Sequence, residues 1–253
     1  MECCRAVAEV LRTNKLLVMI RFLLLQIIAH TISDFYLQTD KSCTDKENRG
    51  FKSPKLYIHI LITFVCAWLF SFSFSFWWVA LIIAVSHLLV DAMKCYASKC
   101  KDIFFIDQFI HLMVIVAVYY LWKSNLPDCV SGVEEKYIAM LLGFLVCLKP
   151  SNIIIKEIIK VANIKISKGS DDNNTEDLPN AGKLIGIVER LLSLVFVLMG
   201  QYEAVGFIIA AKSLLRFAEG DKAKSEYVLI GTLLSFSIAI FVGVAIKLYY
   251  GIQ

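Results

Sequence analysis

Charge is scarce in this 253-residue chain: 19% of it is Asp, Glu, Lys or Arg, and much of that sits in a few short loops. The apolar share is 58%, with a mean hydropathy of +0.67, against about 45–50% apolar in soluble domains. A separate soluble domain is therefore not expected. No C-x-x-C pair occurs among the eight cysteines (3, 4, 43, 66, 95, 100, 129 and 147), and several lie inside apolar runs. They read as buried free thiols rather than a disulfide framework or a thiolate metal site. There is no G-x-S-x-G elbow, no P-loop and no Rossmann glycine pattern. No small-residue cleavage site follows the first apolar stretch, and acids precede it, so residues 3–13 read as a short amphipathic helix rather than a signal peptide. The net charge of +4 suits basic loops at a membrane face better than nucleic-acid binding.

What the chain has is long apolar runs. A spanning helix needs about 20 mostly apolar residues, and eight runs approach that: 16–37, 56–74, 76–93, 103–122, 136–148 (extended past Pro150 to 166), 181–199, 204–217 and 227–250. The expected fold is all-α, a polytopic membrane bundle of about eight transmembrane helices. It is read as one domain with a 1–122 half, a polar and amphipathic connector over 123–180, and a C-terminal half over 181–253. Ser53-Pro54 is a plausible helix start, and Pro150 should kink or break the fifth run. Lys and Arg concentrate in the loops 38–55, 94–102, 149–183 and 218–226. With eight spans these loops share one side, and the positive-inside rule makes that side cytoplasmic. Arg5, Arg12 and Lys15 then fall on the other side and conflict with this orientation.

Histidine is scarcer still than charge, and its placement is not random. Of four histidines, three stand four residues from an aspartate inside an apolar run: His30 with Asp34, His87 with Asp91, and Asp107 with His111. That spacing stacks both side chains on one helix face. The fourth, His59, lies just inside the second run. All seven fall within roughly two to three turns of the same membrane face at about 1.5 Å per residue. Ionisable groups in such segments are expensive and usually face a bundle interior or a wet cavity. Imidazole plus carboxylate is a ligand set for a divalent metal such as Zn or Mn, as one ion or as two with a bridging hydroxide. A proton relay or plain His–Asp hydrogen bonding is the alternative. Gln38 and Gln108 beside the motif aspartates, and Lys94, are further candidates for contacts to a ligand. Glu189, Arg190, Lys212, Arg216 and Glu226 are expected to form either an ion-pair network or a cationic wall.

The segments AHTISDFYLQ (29–38), SHLLVDAMK (86–94) and DQFIH (107–111) resemble the motifs of domain of unknown function 3307, a group of bacterial integral-membrane proteins. GKLIGIVERLL (182–192), AAKSLLRFAE (210–219) and EYVLIGTLLS (226–235) resemble that family's second half. The resemblance implies a multi-pass protein of the bacterial cytoplasmic membrane and carries no activity. More loosely, the His–Asp pattern is similar to LexA-regulated inner-membrane metal-dependent hydrolases.

The expected function is a metal-dependent hydrolase acting on a phosphoester or other anionic, lipid-like substrate at the cytoplasmic face. His30, His59, His87 and His111 would be ligands, and Asp34, Asp91 and Asp107 ligands or catalytic bases. Arg190, Lys212 and Arg216 would stabilise negative charge. The lipid bilayer is the expected partner, with no nucleic acid. A divalent-metal or proton transporter using the same residues is the alternative, and a structural or signalling role the third.

Overall fold

The computed structural model describes residues 2–96, 103–122, 133–164, 181–217 and 222–251, with backbone alone for 2–15, 47, 95–96, 181, 215–217 and 222–227. Among the described residues all regular structure is helical. The chain divides into two compact units, Met1–Leu142 and Gly143–Gln253.

The first unit opens with α1 (Glu2–Thr31), which runs on into a π-helical turn at Ile32–Tyr36. The separate amphipathic helix expected at 3–13 is simply the start of α1, because neither Gly nor Pro interrupts residues 2–31. The charged loop expected at 38–55 holds α2 (Asp40–Arg49). Thr39 caps it by accepting from the Ser42 amide, and Gly50 at φ 52° ends it. Next come α3 (Pro54–Leu69), with Pro54 in its first turn as expected, α4 (Trp77–Tyr96) and α5 (Ile103–Trp122). The tight α3–α4 turn is held by Ser71, which donates to the Trp68 carbonyl and accepts from the Ser73 amide. Phe22, Ala67, Phe76, Val79, Ala80, Ile83 and Tyr119 form a buried apolar layer contributed by α1, α3, the turn before α4, α4 and α5.

α6 (Glu135–Cys147) leads into the second unit, where α7 (Lys149–Val161) follows at a bend of 49°. Pro150 sits in the first turn of α7, so the expected break is real and falls just before the proline. The unit is completed by α8 (Ala181–Leu198), α9 (Tyr202–Phe217) and α10 (Lys222–Tyr250). α8 and α10 pack closely because Gly243 leaves room: a Cβ there would stand 2.7 Å from Val197. The buried thiol of Cys147 joins Leu194 and Ala239 in the core, and Cys66 is likewise buried and free.

The count of eight spans is corrected. Among the described residues, four helical segments are long and apolar enough to cross a membrane: Leu16–Tyr36, Phe74–Lys94, Ile103–Trp122 and Val228–Tyr250. The bent pair α6–α7 makes five if taken as one span. α3 and α9 have 16 residues each, about 24 Å of helix against a hydrocarbon core of about 30 Å. α8 carries Lys183, Glu189 and Arg190 within 18 residues.

Candidate metal centre

Four helices and one π turn place the seven residues singled out by their spacing in one cluster. His30 ends α1, and Asp34 follows on the π turn, where the Leu37 amide donates to the Ile32 carbonyl at 3.0 Å. The fully buried Ser33 hydroxyl donates to Asp34 Oδ1 at 2.9 Å and fixes that carboxylate. His59 comes from α3, His87 and Asp91 from α4, and Asp107 and His111 from α5. Every one of these side chains is 7% exposed or less.

The three intrahelical pairs close as their spacing implies: His30 Nδ1–Asp34 Oδ1 at 3.6 Å, His87 Nε2–Asp91 Oδ1 at 3.9 Å and His111 Nε2–Asp107 Oδ1 at 3.3 Å. The contacts between helices are equally short. His59 Nε2 lies 3.0 Å from His87 Nε2, and both stand near Asp34 Oδ1, at 3.6 and 3.5 Å. Asp91 reaches His59 at 3.8 Å and His111 at 3.7 Å. The His87 and His111 rings stack with centroids 3.8 Å apart.

These atoms form three overlapping groups able to hold a metal ion: His30–Asp34–His87, His59–His87–Asp91 and Asp91–Asp107–His111. His87 and Asp91 are the shared members. Ligand atoms at about 2.0–2.1 Å from a tetrahedral ion stand about 3.3 Å apart, within the spread of distances seen. A second observation supports the fit. Asp107 Oδ1 and His111 Nε2 are buried and approach each other, yet neither has an aligned hydrogen bond. Buried polar atoms are normally satisfied, and a cation between them satisfies both.

The surrounding polar groups orient the ligands. Gln108 Nε2 reaches Asp34 Oδ2 and Asp107 Oδ2, each at 3.4 Å, and its Oε1 meets His30 Nε2 at 3.3 Å. Lys94 pairs with Asp107 at 2.8 Å. The residue that sequence reasoning missed is Lys46 of α2, buried, with Nζ 2.6 Å from Asp91 Oδ2. Gln38, with its amide oxygen turned toward Lys46, accepts from Nζ at 2.5 Å and donates to the Asp34 carbonyl at 3.3 Å. Capping residues around 39–50 were the available signal for α2; its docking onto α4 left none. Three aspartates against two lysines leave one net negative charge when the imidazoles are neutral, a balance that one divalent cation reverses.

The three cations expected to stabilise charge belong to the second unit. Arg190 donates to the Cys147 carbonyl at 2.7 Å, to Ser235 at 2.8 Å, to Asn152 at 2.6 Å and to the Leu148 carbonyl at 3.4 Å. Lys212 pairs with Glu189. The Arg216 and Glu226 side chains lie outside the described residues.

No curated protein and no solved structure matches the chain. A family model does match, and it spans the three N-terminal motifs and stops short of the three C-terminal phrases. Residues 22–139, the segment that builds the whole His/Asp cluster, match the model of the family described as "Protein of unknown function (DUF3307)".

Proposed function

We propose that the N-terminal unit is a membrane-embedded, metal-dependent hydrolase for a phosphoester or other anionic substrate at one membrane face. The observation that carries this reading is the convergence of four imidazoles and three carboxylates, from four helices, onto one buried site. Zn or Mn suits that donor set, and such an ion supplies Lewis acidity and a water acidic enough to ionise near neutral pH. The chain's own residues do the rest. Gln108 and Ser33 hold carboxylate oxygens in place, Lys46 and Lys94 offset two of the three negative charges, and an aspartate not engaged in ligation takes up the proton of the attacking water. Lys94, the more exposed of the two lysines, stands where an anionic substrate would meet it. The loops 38–55 and 94–102, which adjoin the cluster residues in the chain, are basic, and this supports reading the mouth as the cytoplasmic side of a bacterial inner membrane. Similarity to inner-membrane metal-dependent hydrolases supports the reading by analogy.

A closed site favours catalysis over transport. Deeper in the bundle, Gln26, Thr63 and Ser86 border a cavity of about 10 Å³, room for about one water. Each of the three donates to a backbone carbonyl, and the apolar layer of Phe22, Ala67 and Phe76 lies beyond them. The two polar side chains in the membrane part of α1 before His30 are engaged within the unit: Gln26 bonds the Ala67 carbonyl and Arg21 pairs with Glu135.

Elemental analysis of the purified full chain tests the proposal, with hydrolysis of para-nitrophenyl phosphate as the activity probe. Wild type should hold one or two ions per chain, and His87→Ala and Asp91→Ala should lose metal and hydrolysis together. A folded wild type that takes up neither Zn nor Mn would sink the metal reading. Metal uptake without hydrolysis, coupled to ion flux in vesicles, would turn it toward transport.

A further inference from the structure

The second unit contains a cavity of about 710 Å³ between α7, α8, α9 and the beginning of α10. Ligand sites commonly run from about 300 to 1,000 Å³, with mostly apolar walls and a few convergent polar groups. The walls here are of that kind: Ile155, Ile159, Ile185, Phe207, Ile208 and Val228. The polar groups are Arg190, Asn152, Lys212, Glu189, Thr232 and Ser235.

Two features of the polar groups point to a missing anion. Arg190 is 2% exposed, and among the described residues all four of its hydrogen-bond acceptors are neutral. The carbonyl end of α6 and the nearby charge of Glu189 offset part of its charge, but a buried guanidinium with no hydrogen-bonded carboxylate is costly. Beside it the buried Asn152 Nδ2 has no hydrogen-bond acceptor, although the same side chain accepts from Arg190 through its oxygen. Glu189, the one acid in the cavity lining, is engaged by Lys212, so the lining carries a net positive charge. The α10 wall, Val228 to Ser235, is also the first two turns of an apolar span, where acyl chains are the abundant solute.

We propose that this groove binds one single-chain anionic amphiphile, its carboxylate or phosphate held at Arg190, Asn152 and Lys212 and its acyl chain along the isoleucine and phenylalanine walls. The site rests on the membrane reading but not on the metal centre, and it lies outside the segment matched by the family model.

Two glycines make the test. A side chain at Gly231, in the groove lining, meets open space, and so does one at Gly206, which is outside that lining. Gly231→Leu therefore fills the groove without a backbone clash, and Gly206→Leu is its control. The full chain in neutral detergent is titrated with oleate, 1-oleoyl lysophosphatidate and oleyl alcohol, and complexes are counted by native mass spectrometry. One anionic amphiphile per chain is expected, with at least tenfold preference over oleyl alcohol. Preference between oleate and lysophosphatidate identifies the headgroup. Gly231→Leu should weaken binding at least tenfold and Gly206→Leu should not. Lys212→Gln, which leaves Glu189 unpaired in the groove, should weaken both anions and spare the alcohol. Unchanged binding in Gly231→Leu, or equal binding of oleate and oleyl alcohol, overturns the proposal. So does cross-linking of Gly231→Cys to a second copy with no oleate bound, since the groove is then a contact between chains. Metal content of each variant is measured in parallel and should not change, so a failure here is separable from a failure of the metal centre.

Discussion

Lys46 shows how much one side chain can add to a cluster of ligands. Its ammonium sits 2.6 Å from Asp91 Oδ2, on the oxygen that also faces His59, so it occupies space a cation would otherwise claim. In the metal-free protein, Lys46→Ala leaves Asp91 buried without that countercharge, a loss of about 3–5 kcal/mol for a broken buried pair. A bound divalent ion restores the compensation. Thermal unfolding should therefore show a large destabilisation of Lys46→Ala without metal and a much smaller one after loading with Zn or Mn. An equal loss in both conditions would mean that Lys46 acts through packing alone.

At the scale of the element, two departures from plain α-helix shape the site. The π turn at Ile32–Tyr36 adds a residue after His30, and π turns recur at functional sites. Here it carries Asp34 inward, beside His59 and His87. The capped helix α2 then delivers Lys46 across to α4. Removing the cap with Thr39→Ala should destabilise α2 by about 1 kcal/mol. Hydrogen exchange should show faster exchange over residues 40–49, with α4 and α5 unchanged. Protection of α2 equal to wild type would place its stability in the docking of Lys46, not in the cap. At the other break, Pro150→Ala gives α7 an amide that α6 can accept, so the bend should relax, most visibly in the environment of Arg190. The His/Asp cluster draws on none of these residues, so metal content should stay at the wild-type value.

For the molecule as a whole, metal binding is also folding energy. An ion that binds only the native state stabilises it by about 2.7 kcal/mol at a concentration one hundred times the Kd. Dialysis against EDTA should lower the unfolding temperature of the full chain, and Zn or Mn should restore it. His87→Ala, which removes a ligand shared by two of the three groups, should abolish the response. A response that survives in this variant would place the stabilising ion elsewhere. The His/Asp cluster lies in the N-terminal unit and the groove in the C-terminal unit, so an amphiphile-dependent change in stability should persist in His87→Ala.

The all-helical fold, most helix limits to within a few residues and the seven candidate ligands are legible in the sequence. Hydropathy and the i, i+4 spacing are local properties, and helix geometry turns them directly into faces and pairs. Hydropathy overstates the number of spans, because apolar composition in α3, α8 and α9 does not distinguish a short or charged helix from one that crosses a bilayer. Matched depth predicts that the three pairs and His59 converge, but the packing alone shows that Gln108 bridges two of the aspartates and that Lys46 joins them from a segment that reads as a loop. It alone showed that Arg190 is committed to helix ends and a groove within its own unit. Such contacts join residues far apart in the chain, and their partners are chosen by packing, which no local pattern encodes.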